Sequence, residues 1–414
     1  MSYKELKSLY YGSNEDYADE YLKRFNSEET VKLNFYIGDK QLFFLENTEV
    51  MKIAFYISKL DKEIASLCGR LPGVAIDQYS KKCLIDEIVI TNKIEGVHSS
   101  RKEIGEALDI LESQSKTKGK HQRFVGLVNK YLKLINQEDI SLETCQDIKN
   151  IYDEIFLDEV LLENPDNKPD GALFRKEAVT IHSETDKVIH TGVTPESKII
   201  ELTTRALEFL QDNSVEELFR VCIFHYLIEY IHPFYDGNGR LGRFILSYGI
   251  SKTLTPLISF RISETINENI KKYYKAFKTC NDQRNLGDVT PFLLMQLDMI
   301  FLAMKELKKS LLEKLATWDK YEEAIRKRCN DFELLRLYSY LIQAALFSEH
   351  GISMIELQQN MKLSQYKIKK IMDKIHNDMI DIKTKKKFKF YSISLERLNT
   401  IILEESVEAL QKTE

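Results

Sequence analysis

The stretch Ile231–Arg243, IHPFYDGNGRLGR, constrains this chain more than any other, because it joins two long apolar segments through a glycine-rich polar turn. The segment before it reads as a helix. Ser214 and Glu217 supply an S-x-x-E capping box, and Leu218, Phe219, Cys222, Ile223, Tyr226, Leu227, Tyr230 and Ile231 recur at helical spacing. Few polar residues interrupt the run, so the helix is expected to be buried on most sides. Pro233 disfavours helical backbone at His232 and sets that histidine at the mouth of the turn. Gly237-Asn238-Gly239 then allows backbone angles that side chains would forbid, so that consecutive N–H groups can form an anion nest. A second apolar helix is expected from about Arg240, with Leu241, Phe244, Ile245, Tyr248 and Ile250. Its free N–H groups, and the Arg240 and Arg243 guanidinium groups on one face of its first turn, suit a polyphosphate. Asp236 beside them is the residue type that holds Mg²⁺ next to phosphates.

HPFYDGNGRLGR resembles the signature of Fic-domain proteins, H-P-F-x-[D/E]-G-N-G-R-x-x-R, at every fixed position. The resemblance implies transfer of AMP from ATP to a Ser, Thr or Tyr hydroxyl of a target protein. It implies His232 as general base, Asp236 as the Mg²⁺ (or Mn²⁺) ligand, and Phe234 as an anchor of the loop. Gly237, Asn238 and Gly239 would cradle the α- and β-phosphates, and Arg240 and Arg243 would meet the β- and γ-phosphates. A base near its working pKa contributes about 10²–10⁴-fold, and the rest is positioning and charge neutralisation.

An amphipathic helix is expected over Lys82–Glu95, carrying Leu84, Ile85, Ile88 and Val89 on one face and ending at Gly96. Glu95 in its last turn opposes the helix macrodipole, a hint that it serves another purpose. Thr91–Gly96, TNKIEG, is similar to the inhibitory pattern [S/T]-x-x-x-E-[G/N] of Fic proteins, which implies that Glu95 pairs with Arg243 in the place of the γ-phosphate. Some relatives use the same glutamate to position a water that removes AMP, so an AMP-removing hydrolase stays open. Gly171 and Arg175 resemble the family's G-x-x-x-R ahead of its flap. Glu177–His190 reads as that hairpin, with a Ser183–Lys187 turn and with His182 and His190 on its edge. Asn269, Tyr273 and Tyr274 match the spacing of family residues that flank the adenine. The resemblance spans about Leu84 to Ile300.

The remaining chain bounds the class. Of 414 residues 43% are apolar, and only 16 are Gly and 7 Pro, which suits a mainly α protein. A net charge of -5 gives no global pull toward nucleic acid. Cys68, Cys83, Cys145, Cys222, Cys280 and Cys329 are scattered without a C-x-x-C, as expected of free thiols in a reducing cytoplasm. The first residues lack a signal-type apolar core, and Asp298 breaks the longest apolar run, so no membrane span is expected. Further expected elements are a hairpin over Lys32–Leu45 turning at Gly38-Asp39, and helices over Glu49–Leu71, Phe124–Ile135, Leu142–Leu157 and Pro291–Leu312. Ser100 and Glu103 cap another, and Gln114–Lys120 and Asn164–Gly171 read as loops.

Three regions follow: residues 1–80 as a helical and hairpin extension, 81–312 as the Fic domain with its inhibitory helix at about 82–96, and 320–410 as a winged-helix-like module. In the last, Ile352–Met361 and Gln365–Asn377 resemble a helix-turn-helix, and Phe388–Tyr391 after the basic Lys383–Lys387 run a wing strand. Lys367, Lys369, Lys370 and Lys374 on its second helix could meet phosphates. The expectation is a helical protein adenylyltransferase held off by Glu95, using Mg²⁺ and ATP, with a hydroxyl-bearing protein as target and no membrane partner. Its rivals are the hydrolase, a nucleotide-sensing DNA-binding regulator, and a donor other than ATP. A homodimer is a further partner expectation.

Overall fold

The computed structural model describes residues 3–12, 14–112, 123–182, 188–385 and 388–402. The protein is mainly α, with three small sheets among the described residues. In chain order α1 (Leu6–Tyr10) and α2 (Asn14–Phe25) precede the hairpin of β1 (Thr30–Ile37) and β2 (Lys40–Leu45), which turns at Gly38 with φ +62°. Next come α3 (Thr48–Arg70), α4 (Gly73–Ile94), α5 (Arg101–Glu112) and α6 (Val125–Ile135). Then follow α7 (Cys145–Tyr152), a π turn (Asp153–Leu157) and α8 (Asp158–Glu163). The flap strands β3 (Thr180–His182) and β4 (Val188–Thr191) pair Ile181 with His190. Then come α9 (Glu196–Leu210), α10 (Glu217–Ile231), α11 (Asn238–Thr253), α12 (Ile262–Glu268), α13 (Ile270–Cys280) and α14 (Thr290–Arg328). Last are α15 (Phe332–Phe347), β5 (Ile352–Ser353), α16 (Met354–Met361), α17 (Gln365–Met372), β6 (Ile380–Lys385) and β7 (Phe388–Ile393).

Several expected boundaries move for identifiable reasons. The Ser214–Glu217 capping box does not form: Ser214 Oγ donates to Asp212 Oδ1 at 2.6 Å, and α10 starts behind Glu216. The box at Ser100 does form, with Ser100 N donating to Glu103 Oε2 at 2.8 Å and Glu103 N to Ser100 Oγ at 3.2 Å. Gly73 opens α4 at once after Pro72, so that helix is longer than expected. The segment Leu142–Leu157 starts only behind a Thr144–Asp147 box and continues through the π turn to Glu163. The last core helix runs 39 residues to Arg328 with no Gly or Pro after Pro291 to stop it. The loop Gln114–Lys120, the turn Ser183–Lys187, and Lys386 and Lys387 lie outside the described residues.

The chain forms two compact units, Met1–Lys62 with Leu84–Lys305, and Glu63–Cys83 with Glu306–Glu414. In the first, α10 is buried on nearly every side, as its continuous apolar sequence requires. It packs between α9 and α11, and Gly249 sets how close α11 can come: a Cβ there would lie 2.6 Å from both Val221 Cγ atoms. In the second, Leu337, Leu341, Leu357, Met361, Ile368 and Ile393 form one buried cluster. There β7 is the middle strand of the order β5-β7-β6, and α16 meets α17 through Lys362 at φ +56°. Gly249→Val should overpack the α10–α11 contact, lowering stability by about 1–3 kcal/mol in chemical denaturation.

Candidate active site

Helix α10 ends at His232 because Pro233 follows. His232 takes the left-handed conformation, φ 55° and ψ 63°, and its N–H donates to Ile228 O at 2.9 Å. Its carbonyl accepts from Arg175 Nε at 2.8 Å. Arg175 is fully buried, and its Nη1 donates to Glu177 O at 2.5 Å. One side chain thus ties the base of the flap to the His-Pro turn, and burial lowers its pKa. Gly192 leaves room for it, since a Cβ there would be 2.3 Å from Arg175 Nη2. His190 lies on the same side, its Nε2 2.7 Å from Tyr230 O. Burial pushes the His232 imidazole down to about 3, helped by Arg175 and His190 nearby, so the ring is neutral near pH 7 with one nitrogen unprotonated.

The loop beyond is locked from below. Phe234 stacks on Tyr152 with ring centroids 3.6 Å apart and meets Phe174 edge-on at 5.5 Å. Asn238 Oδ1 accepts from Phe234 N at 2.9 Å while its Nδ2 donates to Phe234 O at 2.8 Å. That reciprocal pair uses up the Asn238 amide inside the loop, which leaves the turn its backbone N–H groups to offer. Gly237, at φ +80°, lets α11 begin at Asn238, and Asp236 Oδ1 accepts from Gly237 N at 2.5 Å.

Arg240 and Arg243 are each 1% exposed, an unusual place for two cations at a helix N-terminus. Arg240 Nη1 donates to Glu159 Oε2 at 2.9 Å, while its Nε and Nη2 find no partner. Glu159 also accepts from Arg123 Nη2 at 2.9 Å. Arg243 Nε donates to Thr91 Oγ1 at 2.8 Å, Nη2 to Thr91 O at 3.1 Å, and Nη1 pairs with Glu95 Oε1 at 2.8 Å. Burial, the largest effect, lowers the Arg243 pKa, but Glu95, Tyr273 and Glu229 together outweigh it and raise it. The Glu95 carboxylate also covers the first turn of α11, since a Cβ on Gly239 would lie 2.3 Å from its Oε1. Glu95 is held there by a Schellman ending of α4: Val97 N donates to Asn92 O at 2.9 Å and Gly96 N to Lys93 O at 3.1 Å, with Gly96 at φ +73°.

His232, Asp236, Gly237, Gly239, Arg240 and Arg243 thus lie along one turn between α10 and α11, and Glu95 reaches Arg243 from the end of α4. The aromatic pair divides. Tyr273 is buried with its hydroxyl 2.8 Å from His225 Nε2, while the Tyr274 ring is 40% exposed and edge-on to Tyr273 at 5.5 Å. Asn269 Nδ2 donates to Thr265 O at 3.0 Å at the junction of α12 and α13. Glu159 and Glu229 escaped sequence reasoning. Glu229 had a signal: with His225 it makes an i, i+4 polar pair inside an otherwise apolar helix. Its Oε1 is buried without a partner, and burial, with Glu95 adding, pushes its pKa up to about 8 against the pull of Arg243. Among the described residues no cluster of three or more His, Cys, Asp or Glu could hold a metal, and no helix is long and apolar enough to cross a membrane.

Residues 142–248 match the family model described as Fic/DOC family. Protein adenylyltransferase fic-1 of Caenorhabditis elegans is 27% identical over 203 residues, 46% of this chain and 35% of that protein. The protein of the same name from Caenorhabditis briggsae gives the same identity and coverage. The matched region thus spans about a third of these curated relatives. A Fic family protein from Desulfovibrio desulfuricans G20 shares the fold at 18% identity and a TM-score of 0.50, over 88% of this chain and 99% of that one.

The raised Glu229 pKa has a thermodynamic consequence. The folded state keeps a proton there that the unfolded chain releases near 4.5, so stability falls as pH rises from there to about 8. In Glu229→Gln that part of the slope, up to about 1.4 kcal/mol per pH unit, should vanish in denaturant melts between pH 5 and 9.

Proposed function

We propose that this chain, which carries a Fic domain, is a protein adenylyltransferase that moves AMP from ATP to a target hydroxyl and is held off by Glu95. The observation that carries the reading is the Glu95 carboxylate seated over Gly239 and on Arg243: a side-chain anion already stands at the helix N-terminus where a polyphosphate would bind. The unpartnered Nε and Nη2 of buried Arg240 are further donors with nothing yet to bind. The adenylyltransferase relatives supply the donor class.

In this reading the target oxygen attacks the α-phosphorus, the bond to the bridging oxygen breaks, and pyrophosphate leaves. The proton of the target hydroxyl goes to His232, whose ring is neutral and whose backbone is held by Arg175 through its carbonyl. Arg240, Arg243 and the α11 N–H groups orient the triphosphate. β3 and β4 offer the strand edge that aligns an extended target segment. Asp236 suits Mg²⁺, which takes one or two protein carboxylates and completes its shell with phosphate oxygens and water; there it would neutralise phosphate charge.

The test uses wild type, Glu95→Gly, and Glu95→Gly with His232→Ala, incubated with Mg²⁺ and α-phosphate-labelled ATP. Label on protein should appear with Glu95→Gly and vanish with the added His232→Ala. Equal labelling of wild type and Glu95→Gly would refute inhibition by Glu95, and no label on either would refute the transfer itself.

For the second unit the proposal is a winged helix that meets duplex DNA, favoured by Lys367, Lys369 and Lys370 standing exposed on α17. A gel shift at low salt should weaken with salt, and replacing Lys369 and Lys370 by Ala should flatten the log–log slope by about 2. The absence of any shift at low salt would count against it.

A further inference from the structure

One buried acid on α4 has no role in this scheme. Glu87 is 1% exposed, yet it accepts from Ser263 N at 3.0 Å, Ser263 Oγ at 2.6 Å and Ser247 Oγ at 3.4 Å. Its partners are an amide and two hydroxyls, so the carboxyl sits in the core without the ion pair that usually accompanies a buried charge. Burial pushes its pKa up to about 7, against the pull of Ser263 and of nearby Arg243.

Its place on the helix gives it a purpose. Glu87, Thr91 and Glu95 are spaced four apart and share one face of α4 and its C-terminal turn, while Arg243 and Ser247 share one face of α11. The two faces meet in three rungs: Glu95 on Arg243, Thr91 on Arg243, and Glu87 on Ser247. The third rung alone also reaches α12, through Ser263. Apolar burial would hold the helices together but is non-directional and tolerates sliding or rotation. Three directed hydrogen bonds at one end do not: a slip of one residue turns Glu87 by about 100° and breaks all of them.

We propose that Glu87 is a positioning residue of the inhibitory contact, fixing the register and rotation of α4 on α11 and α12 so that Glu95 arrives on Arg243. The proposal rests on the reading of Glu95 as inhibitor. It places control of the active site on a residue two helical turns away, outside the TNKIEG segment.

The experiment measures label transfer from α-phosphate-labelled ATP by the full chain. It compares wild type, Glu95→Gly, Glu87→Ala, the double Ser247→Ala/Ser263→Ala, and Glu95→Gly/Glu87→Ala. Glu87→Ala and the serine double should label about tenfold faster than wild type, the equivalent of about 1.4 kcal/mol. Adding Glu87→Ala to Glu95→Gly should give no further gain, because both act through one contact. A purely structural role for Glu87 would lower activity and could not raise it. If Glu95→Gly gains activity while Glu87→Ala and the serine double stay at the wild-type rate, Glu87 does not position the inhibitor. If Glu95→Gly gains nothing, the inhibitory reading fails and this proposal with it. Should Glu87→Ala not fold, the serine double, which leaves α4 intact, decides alone.

Discussion

The interaction on which the site depends is the burial of two guanidinium groups at the N-terminus of α11. Cations are unfavourable there, because the helix already presents uncompensated N–H groups and partial positive charge. Burying them removes the water that would screen the mismatch. Arg240 and Arg243, each 1% exposed, can be tolerated only if anions come to them, and the protein supplies two of its own. Glu159 meets Arg240 at 2.9 Å and Glu95 meets Arg243 at 2.8 Å. The arrangement of α4, α8 and α11 follows from bringing these carboxylates to that turn.

The two compensations differ in kind. The Arg240–Glu159 pair is sealed, with side-chain exposures of 0% and 6%, and Glu159 is fixed again by Arg123. Removing one partner of such a pair leaves a bare charge in the core and costs about 3–5 kcal/mol. Glu95 is 30% exposed and stands beyond the last regular residue of α4, in its capping turn. Its carboxylate can return to water at small cost, so displacement by a competing polyanion is a local event. The geometry thus distinguishes a sealed pair from a partly exposed one, which the proposed function makes a permanent support and a removable one.

What could be read from the sequence follows the same division. The residues that carry the turn announce themselves, because His before Pro, glycines around Asn and arginines three apart are chemistry concentrated in a few positions. Helix content was legible from apolar periodicity, and Glu95 from the resemblance of TNKIEG to the inhibitory pattern, its misfit with the macrodipole adding only a hint. Glu87 and Glu159 were not legible, since an acid beside other acids on its helix acquires meaning only from partners far along the chain, Ser263 and Arg240, while Glu229 left only the trace of its i, i+4 spacing from His225. The same applies to Ser214, whose hydroxyl was taken by Asp212. The Tyr273 hydroxyl likewise belongs to His225, a pairing that spacing within Ser263–Phe277 cannot reveal.

Burial also decides which groups near the turn are charged. His225 and His232 are both pushed down to about 3, and Glu229 up to about 8, each chiefly by desolvation. At neutral pH both imidazoles are therefore uncharged, and the Glu229 carboxyl largely keeps its proton. A histidine with so low a proton affinity is a poor base on its own. The same dry surroundings make it responsive, because a negative charge brought close in low dielectric raises its proton affinity far more than it would in water. Under the proposed function, a polyanion that displaces Glu95 from Arg243 would bring such charge to the turn next to His232. Depressed basicity in the resting state and basicity restored on loading are then two consequences of one desolvated site.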